Sequence, residues 1–245
     1  MEELSKNDLK ILNDIRADFK KALNNYLLIE ENDHILVGLS GGKDSLALLQ
    51  LLGERMKIFV PRFKVSAAHI SVENIGYSSD ISYLQEFSAK YEIPFIHKTI
   101  KFESKPENKK PICFLCSWHR RKALFEVAKE HGCNKIALGH HLDDTTETIL
   151  MNLIFQGSFA GMPPKLKMSK FDIAIIRPLT FIPEKEIVEM ERIMQYKKQI
   201  KNCPYEKDSS RKQIKDLIVE LEKLNPMVRQ SIRKATENIK TDYLP

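Results

Sequence analysis

Residues His34–Leu52, HILVGLSGGKDSLALLQLL, constrain the fold more than any other stretch. His34–Leu39 is an apolar run without polar alternation, the pattern of a strand buried on both faces. Ser45–Leu52 is apolar almost all round, as in a helix packed against a sheet. Between them lies SGGKDS, Ser40–Ser45. Gly41 and Gly42 permit positive φ and let backbone N–H groups approach an anion closely. The following helix adds its own unpaired N–H groups and the positive end of its dipole. Lys43 offers a cation, and Ser40 and Ser45 offer hydroxyl donors, so the turn is expected to hold phosphate. It is not the Walker pattern, in which four residues separate the glycines; here none does.

The strand-and-helix alternation continues along the chain. Phe63–Val72, Phe95–Phe102, Lys135–Gly139 and Ile173–Pro178 read as strands. Ser79–Tyr91, Phe114–His131 and Asp143–Phe155 read as helices, and Leu4–Leu28 has apolar residues at helical spacing. Such alternation predicts an α/β protein built on a parallel sheet, with its ligand crevice at the C-terminal ends of the strands. From Pro183 onward the pattern is helical only. The expected organisation is an N-terminal helical segment (1–30), a nucleotide-binding domain (31–182) and a basic helical C-terminal extension (183–245).

The net charge of +6 is unevenly placed. Residues 1–162 are balanced, and the whole excess of Lys and Arg falls in 163–245. That imbalance points to a polyanionic partner or to a solvated lysine-rich tail. In NPMVRQSIRKATENIK, Arg229, Arg233, Lys234 and Lys240 are expected to share one basic helix face. No apolar run reaches the roughly 18 residues of a membrane span. The charged, amphipathic N-terminus does not look like a secretion signal, so a cytoplasmic protein is expected.

Two further clusters carry chemistry. LGHHLDDTTETIL (Leu138–Leu150) gathers His140, His141, Asp143, Asp144 and Glu147 where a strand passes into a helix. The two aspartates suit helix capping, and they equally suit Mg²⁺ on a triphosphate. PICFLCSWHRRKALFEVA sets Cys113 and Cys116 two residues apart just before a helix, whose N-terminus lowers thiol pKa values. Zinc, a redox dithiol and an iron–sulfur cluster all suit such a turn. His119, His131, Cys133 and Cys203 are the further candidate ligands. Cys133 precedes an apolar strand and reads as a packed core residue. Cys203 lies in a polar, proline-marked turn, and three thiolates (Cys113, Cys116, Cys203) would leave a cluster one open coordination site.

SGGKDS resembles the loop of the PP-loop ATP pyrophosphatases, which split ATP into AMP and pyrophosphate while adenylating a substrate. The resemblance implies a doubly wound, Rossmann-like sheet of the adenine-nucleotide α-hydrolase kind. It implies that Ser40, Gly41, Gly42, Lys43, Asp44 and Ser45 bind ATP, with His69 and Ile70 flanking adenine and Gly139, His140 and Asp144 closing the site. Asp44 would orient Lys43 or contact Mg²⁺; Asp143 and Asp144 would hold Mg²⁺.

CxxCSxxRRxALFxxA, LGHHxDDxxET and GMPPKL…IRPL together are similar to the tRNA 2-thiocytidine synthetase family over about Ile35–Tyr205. What this implies is a 4Fe–4S cluster on Cys113, Cys116 and Cys203, with Lys43 and Asp44 serving the adenylation. The substrate would be a tRNA cytidine, with sulfur from a cysteine desulfurase or free sulfide, and the assembly a homodimer. Arg120, Arg121 and the basic C-terminal helices would contact RNA phosphates, while Trp118 would stack on a base or pack against its helix. Several relatives carry a second CxxC near the C-terminus, whereas Cys203 is followed by Pro204, Tyr205 and Glu206. CPYEKDSSRKQI also resembles the 2-thiouridine synthetases, whose zinc-finger cysteines this chain lacks. Uridine thiolation and a cluster-free ligase of the lysidine-synthetase type are the alternatives.

Overall fold

The computed structural model describes residues 4–73, 79–101, 112–169, 171–198 and 210–243. Helix α1 (Lys6–Asn25) leads into β1 (His34–Gly38), α2 (Lys43–Met56), β2 (Lys64–Val72), α3 (Ile81–Ala89) and β3 (Phe95–Ile100). Then come α4 (Ile112–Glu130), β4 (Lys135–Ala137), α5 (Leu142–Gln156), β5 (Lys165–Met168), β6 (Ile173–Ile176) and α6 (Glu184–Ile193). Helices α7 (Ser210–Leu224) and α8 (Val228–Ala235) follow. The sheet order is β3-β2-β1-β4-β6-β5, parallel throughout except that β5 runs antiparallel to β6.

Strand β1 is apolar at successive positions because both faces of the sheet are covered. Ile35 and Val37 face a core shared with α1, α2, α3 and α6, while Leu36 faces the core beneath α4. The chain winds outward from β1 through β2 to β3. It then crosses back under the opposite face with α4 to place β4 on the other side of β1. Right-handed crossovers require that change of face, and the reversal opens a crevice between the C-terminal ends of β1 and β4. The glycine turn leaves β1 there, and the His-His-Asp-Asp stretch leaves β4 beside it.

The sequence pattern did not indicate β5. Lys-Leu-Lys-Met is a four-residue edge strand, half exposed, whose alternating Leu166 and Met168 are too few to mark it. Helix α4 also begins earlier than its apolar pattern implies, so Cys113 lies in its first turn and Cys116 at the start of its second, rather than before it.

Candidate active site at the glycine turn

Gly41 adopts φ +85°, a conformation that L side chains resist. Gly42 caps α2 without a side chain, so nothing of its own covers the helix's N-terminal N–H groups. Ser45 Oγ donates to the Gly42 carbonyl at 2.9 Å, and the Ser40 and Ser45 hydroxyls lie 3.1 Å apart. These bonds hold both hydroxyls at the turn. Gly139 meets the same helix from the other side. A Cβ there would fall 3.0 Å from the Asp44 carbonyl carbon and oxygen and 3.1 Å from Ser45 N. Only glycine lets the β4–α5 connection lie against the first turn of α2.

His69 is buried, and its Nδ1–H donates to the Leu39 carbonyl at 2.7 Å, which fixes the tautomer. Burial pushes its pKa down to about 4, so the ring is neutral. His69 thus braces the chain where it leaves β1, and its neighbour Ile70 lines a cavity of about 200 Å³. Gly38, Leu39 and Ser40 form the glycine-turn side of that cavity, and Arg120, Arg121, Leu124 and Phe125 of α4 form the opposite wall. His140 joins the lining; burial lowers its pKa to about 4, and its buried Nδ1 has no hydrogen-bond partner among the described residues.

The charged groups are tightly paired. Lys43 Nζ lies 3.1 Å from Asp44 and 3.0 Å from Glu184. Burial opposes its charge, but the two carboxylates hold its pKa above the ordinary value. His141 sits among Asp144 (3.4 Å), Asp143 (3.6 Å) and Asp44 (3.8 Å). Burial again opposes the cation, and the three acids raise its pKa.

The expected magnesium ligands prove to be otherwise engaged. Asp143 accepts the Glu184 N–H at 2.6 Å and pairs with Arg229 at 2.6 Å. Asp144 accepts the His141 N–H at 3.1 Å and pairs with Arg211 at 3.0 Å. Glu147 pairs with Arg211 at 2.6 Å and with Lys215 at 3.7 Å. Among the described residues no group of three His, Cys, Asp or Glu is disposed to hold a metal ion. Asp143 and Asp144 are thus each held by a guanidinium group and a backbone N–H donor.

The expected basic face of the last helix is also corrected. Arg229 turns inward to Asp143 and Glu222. Arg233 lies over the Phe181 ring at 4.6 Å and bonds to Tyr26 and Glu237. Only Lys234 and Lys240 of the four remain exposed. Buried acids on α5 and an aromatic ring draw the arginines in, which helical spacing alone does not reveal. Glu184, Arg211 and Lys215 were not anticipated either. PEKE reads as an ordinary helix start, and nothing in it signals contact with Lys43.

Cys113 is exposed on the first turn of α4; Cys116, three residues on, is half-buried against the small cluster of Val72 and Leu115. Residues at that spacing share a helix face, so the thiol pair is a suitable donor set for a soft metal centre. Cys203 lies outside the described residues. Cys133 is a core residue, as expected, and burial raises its thiol pKa to about 11.

A strand–glycine-turn–helix corner at the switch point of a doubly wound sheet is the architecture of PP-loop proteins. The model of the PP-loop domain matches residues 11–218, and the chain belongs to that family. More particularly, it is 36% identical over 230 residues to the tRNA-cytidine(32) 2-sulfurtransferase of Geotalea uraniireducens, spanning 91% of this chain and 90% of the relative. The enzyme of the same name from Pseudomonas putida W619 is 34% identical over 249 residues, with coverage of 100% and 90%. Among solved structures, the U34-tRNA thiolase NcsA from Methanococcus maripaludis with its [4Fe-4S] cluster superposes with a TM-score of 0.76 at 28% identity, covering 97% of this chain and 81% of that one. The NH3-dependent NAD synthetase of Campylobacter jejuni, at 15% identity and a TM-score of 0.50, shares the fold alone.

Proposed function

We propose that this chain is an ATP-dependent tRNA sulfurtransferase that converts a tRNA cytidine to 2-thiocytidine. The observation that carries the reading is the cavity shared by the glycine turn and the cysteine-bearing helix. One small chamber is bounded by Ser40 on one side and by Arg120 and Arg121, one to two turns beyond Cys116, on the other. The names of the curated relatives and of the solved thiolase support the same chemistry.

A carbonyl oxygen at C2 of a base is a poor leaving group and must be activated first. The N–H groups at the start of α2, the Ser40 and Ser45 hydroxyls and Lys43 would hold the triphosphate of ATP. Attack of the base O2 on the α-phosphorus forms the new P–O bond and breaks the bond to the β-phosphate, releasing pyrophosphate. Lys43 and the backbone donors stabilise the charge that develops there. Hydrosulfide then adds at C2 and loses its proton, and AMP departs with the original oxygen. Cys113, Cys116 and Cys203 would hold a 4Fe–4S cluster, which supplies a coordination site for sulfur when bound. Ile70 would flank adenine, with the buried His69 bracing the strand end beside it, and Asp44 would orient Lys43. The sulfur source would be free sulfide, or the persulfide of a cysteine desulfurase reduced by two electrons from a thiol, and the assembly a homodimer.

The U34 specificity of NcsA favours a second reading, thiolation of a uridine. One experiment separates them. Digested tRNA from a strain lacking the gene is analysed by mass spectrometry, alongside tRNA treated in vitro with anaerobically purified protein, ATP and sulfide. Loss and restoration of 2-thiocytidine is the expected result. Loss of a thiouridine instead selects the second reading, and persistence of every thionucleoside rejects both.

A further inference from the structure

The first turns of α4 present a feature that the reaction above does not use. Phe114 and Trp118 lie one turn apart on one helix face and are 48% and 49% exposed. Trp118 is the only tryptophan in the chain. The His119 ring is set perpendicular to its indole at 4.9 Å, and the Lys122 ammonium lies 5.8 Å from the ring centre. From Ile112 to Phe125 the helix has no carboxylate, while His119, Arg120, Arg121 and Lys122 are consecutive. The first acid, Glu126, is 3.8 Å from Lys122. Arg120 and Arg121 also line the cavity that adjoins the glycine turn.

A flat aromatic surface left half in water is costly for a helix that has a core to pack against. Set among cations and beside a chamber, it matches the way proteins hold single-stranded nucleic acid: bases stack on rings while Lys and Arg follow the phosphates. The base that undergoes chemistry leaves the stack to enter a pocket, which exposes its neighbours. We infer that Trp118 is the stacking platform for a base flanking the target nucleotide, with Arg121 and Lys122 on the adjoining phosphates. The inference rests on the tRNA-thiolation reading and adds where the strand lies. A protein partner on this face, such as a sulfur donor, is the competing outcome.

The test uses holoprotein with its full chain, as wild type, Trp118→Phe and Trp118→Ala. Thiolation is measured against tRNA and ATP concentration, and tRNA binding by filter retention. Stacking is worth about 1–3 kcal/mol per base, so Trp118→Ala should raise the Kd and KM for tRNA about tenfold or more. Trp118→Phe should recover most of that loss. The KM for ATP and the iron content serve as controls for an intact site. Unchanged tRNA binding and KM in Trp118→Ala overturn the inference. So does a loss confined to reactions driven by a protein sulfur donor and absent with free sulfide, which would assign the face to that donor. If the wild type binds tRNA in a Trp118-dependent way yet thiolates nothing, the thiolation reading fails and the RNA platform stands.

Discussion

The Lys43 ammonium of the glycine turn and the Glu184 carboxylate at the start of α6 lie 3.0 Å apart, although 141 residues separate them in the chain. Glu184 also reaches Lys215 of α7 at 3.2 Å. The lysine that would serve a triphosphate is therefore already held by an acid, and the nucleotide must compete for it.

Removing that competitor should strengthen nucleotide binding. In Glu184→Gln, Lys43 loses a half-buried partner worth about 1 kcal/mol, so the KM for ATP should fall roughly fivefold. Lys43→Ala should do the opposite, lowering kcat/KM for ATP by about a hundredfold or more. Pyrophosphate release at varied ATP reads both, and a higher KM in Glu184→Gln would refute the competition.

Gly139→Ala tests the close approach of the two loops. The added Cβ would sit 3.0–3.1 Å from backbone atoms of Asp44 and Ser45, which cannot rotate away. A destabilisation of about 1–3 kcal/mol is expected, together with slower pyrophosphate release. A variant with wild-type melting temperature and activity would show that the contact is easily relieved.

His69 should leave a mark on the pH dependence of stability. Its folded pKa lies at about 4, below its ordinary value, because burial disfavours the cation. The unfolded chain takes up a proton near pH 6.5 while the folded chain does not. Stability is therefore full above that pH and declines as pH falls toward 4, by roughly 3 kcal/mol at the acid end. His140 adds a decline of the same sign. His69→Asn keeps a donor for the Leu39 carbonyl and has no titration, so its thermal melts should show a shallower acid slope. An unaltered slope would remove His69 from the account.

The cysteines should divide by role. Cys113→Ala and Cys116→Ala should each abolish bound iron and labile sulfide after anaerobic reconstitution, with little change in the fold. Cys133→Ala should keep the iron and lose about 1 kcal/mol of stability from the core. Iron retained in both Cys113→Ala and Cys116→Ala would argue that the pair holds no cluster.

Much of this arrangement could be read from residue order because local and tertiary signals agree. The apolar run Ile35–Leu39, the paired glycines and the apolar helix after them each favour the same corner. The period of β1 differs from an edge strand for a reason, burial on both faces, that composition records directly. Lys165–Met168 carries no such record, since one side of an edge strand faces water. Contacts between charges distant in sequence were hidden for another reason. A lysine paired to Glu184 and one exposed to solvent look identical in a sequence, and so would Arg229 whether it faced Asp143 or solvent. Helical spacing located α8 but not which of its cations the acids of α5 would capture.

Those captured cations weaken the negative field beside the nucleotide site. Asp44, Asp143, Asp144, Glu147 and Glu184 crowd the mouth of the glycine turn, and on their own they would repel a polyanion. Arg211 and Lys215 of α7 and Arg229 of α8 pair with four of these five and offset part of that charge. The basic third of the chain thus serves as a tethered set of counter-ions. Removing α7 and α8 would strip away these counter-ions and make the surroundings of the glycine turn hostile to ATP.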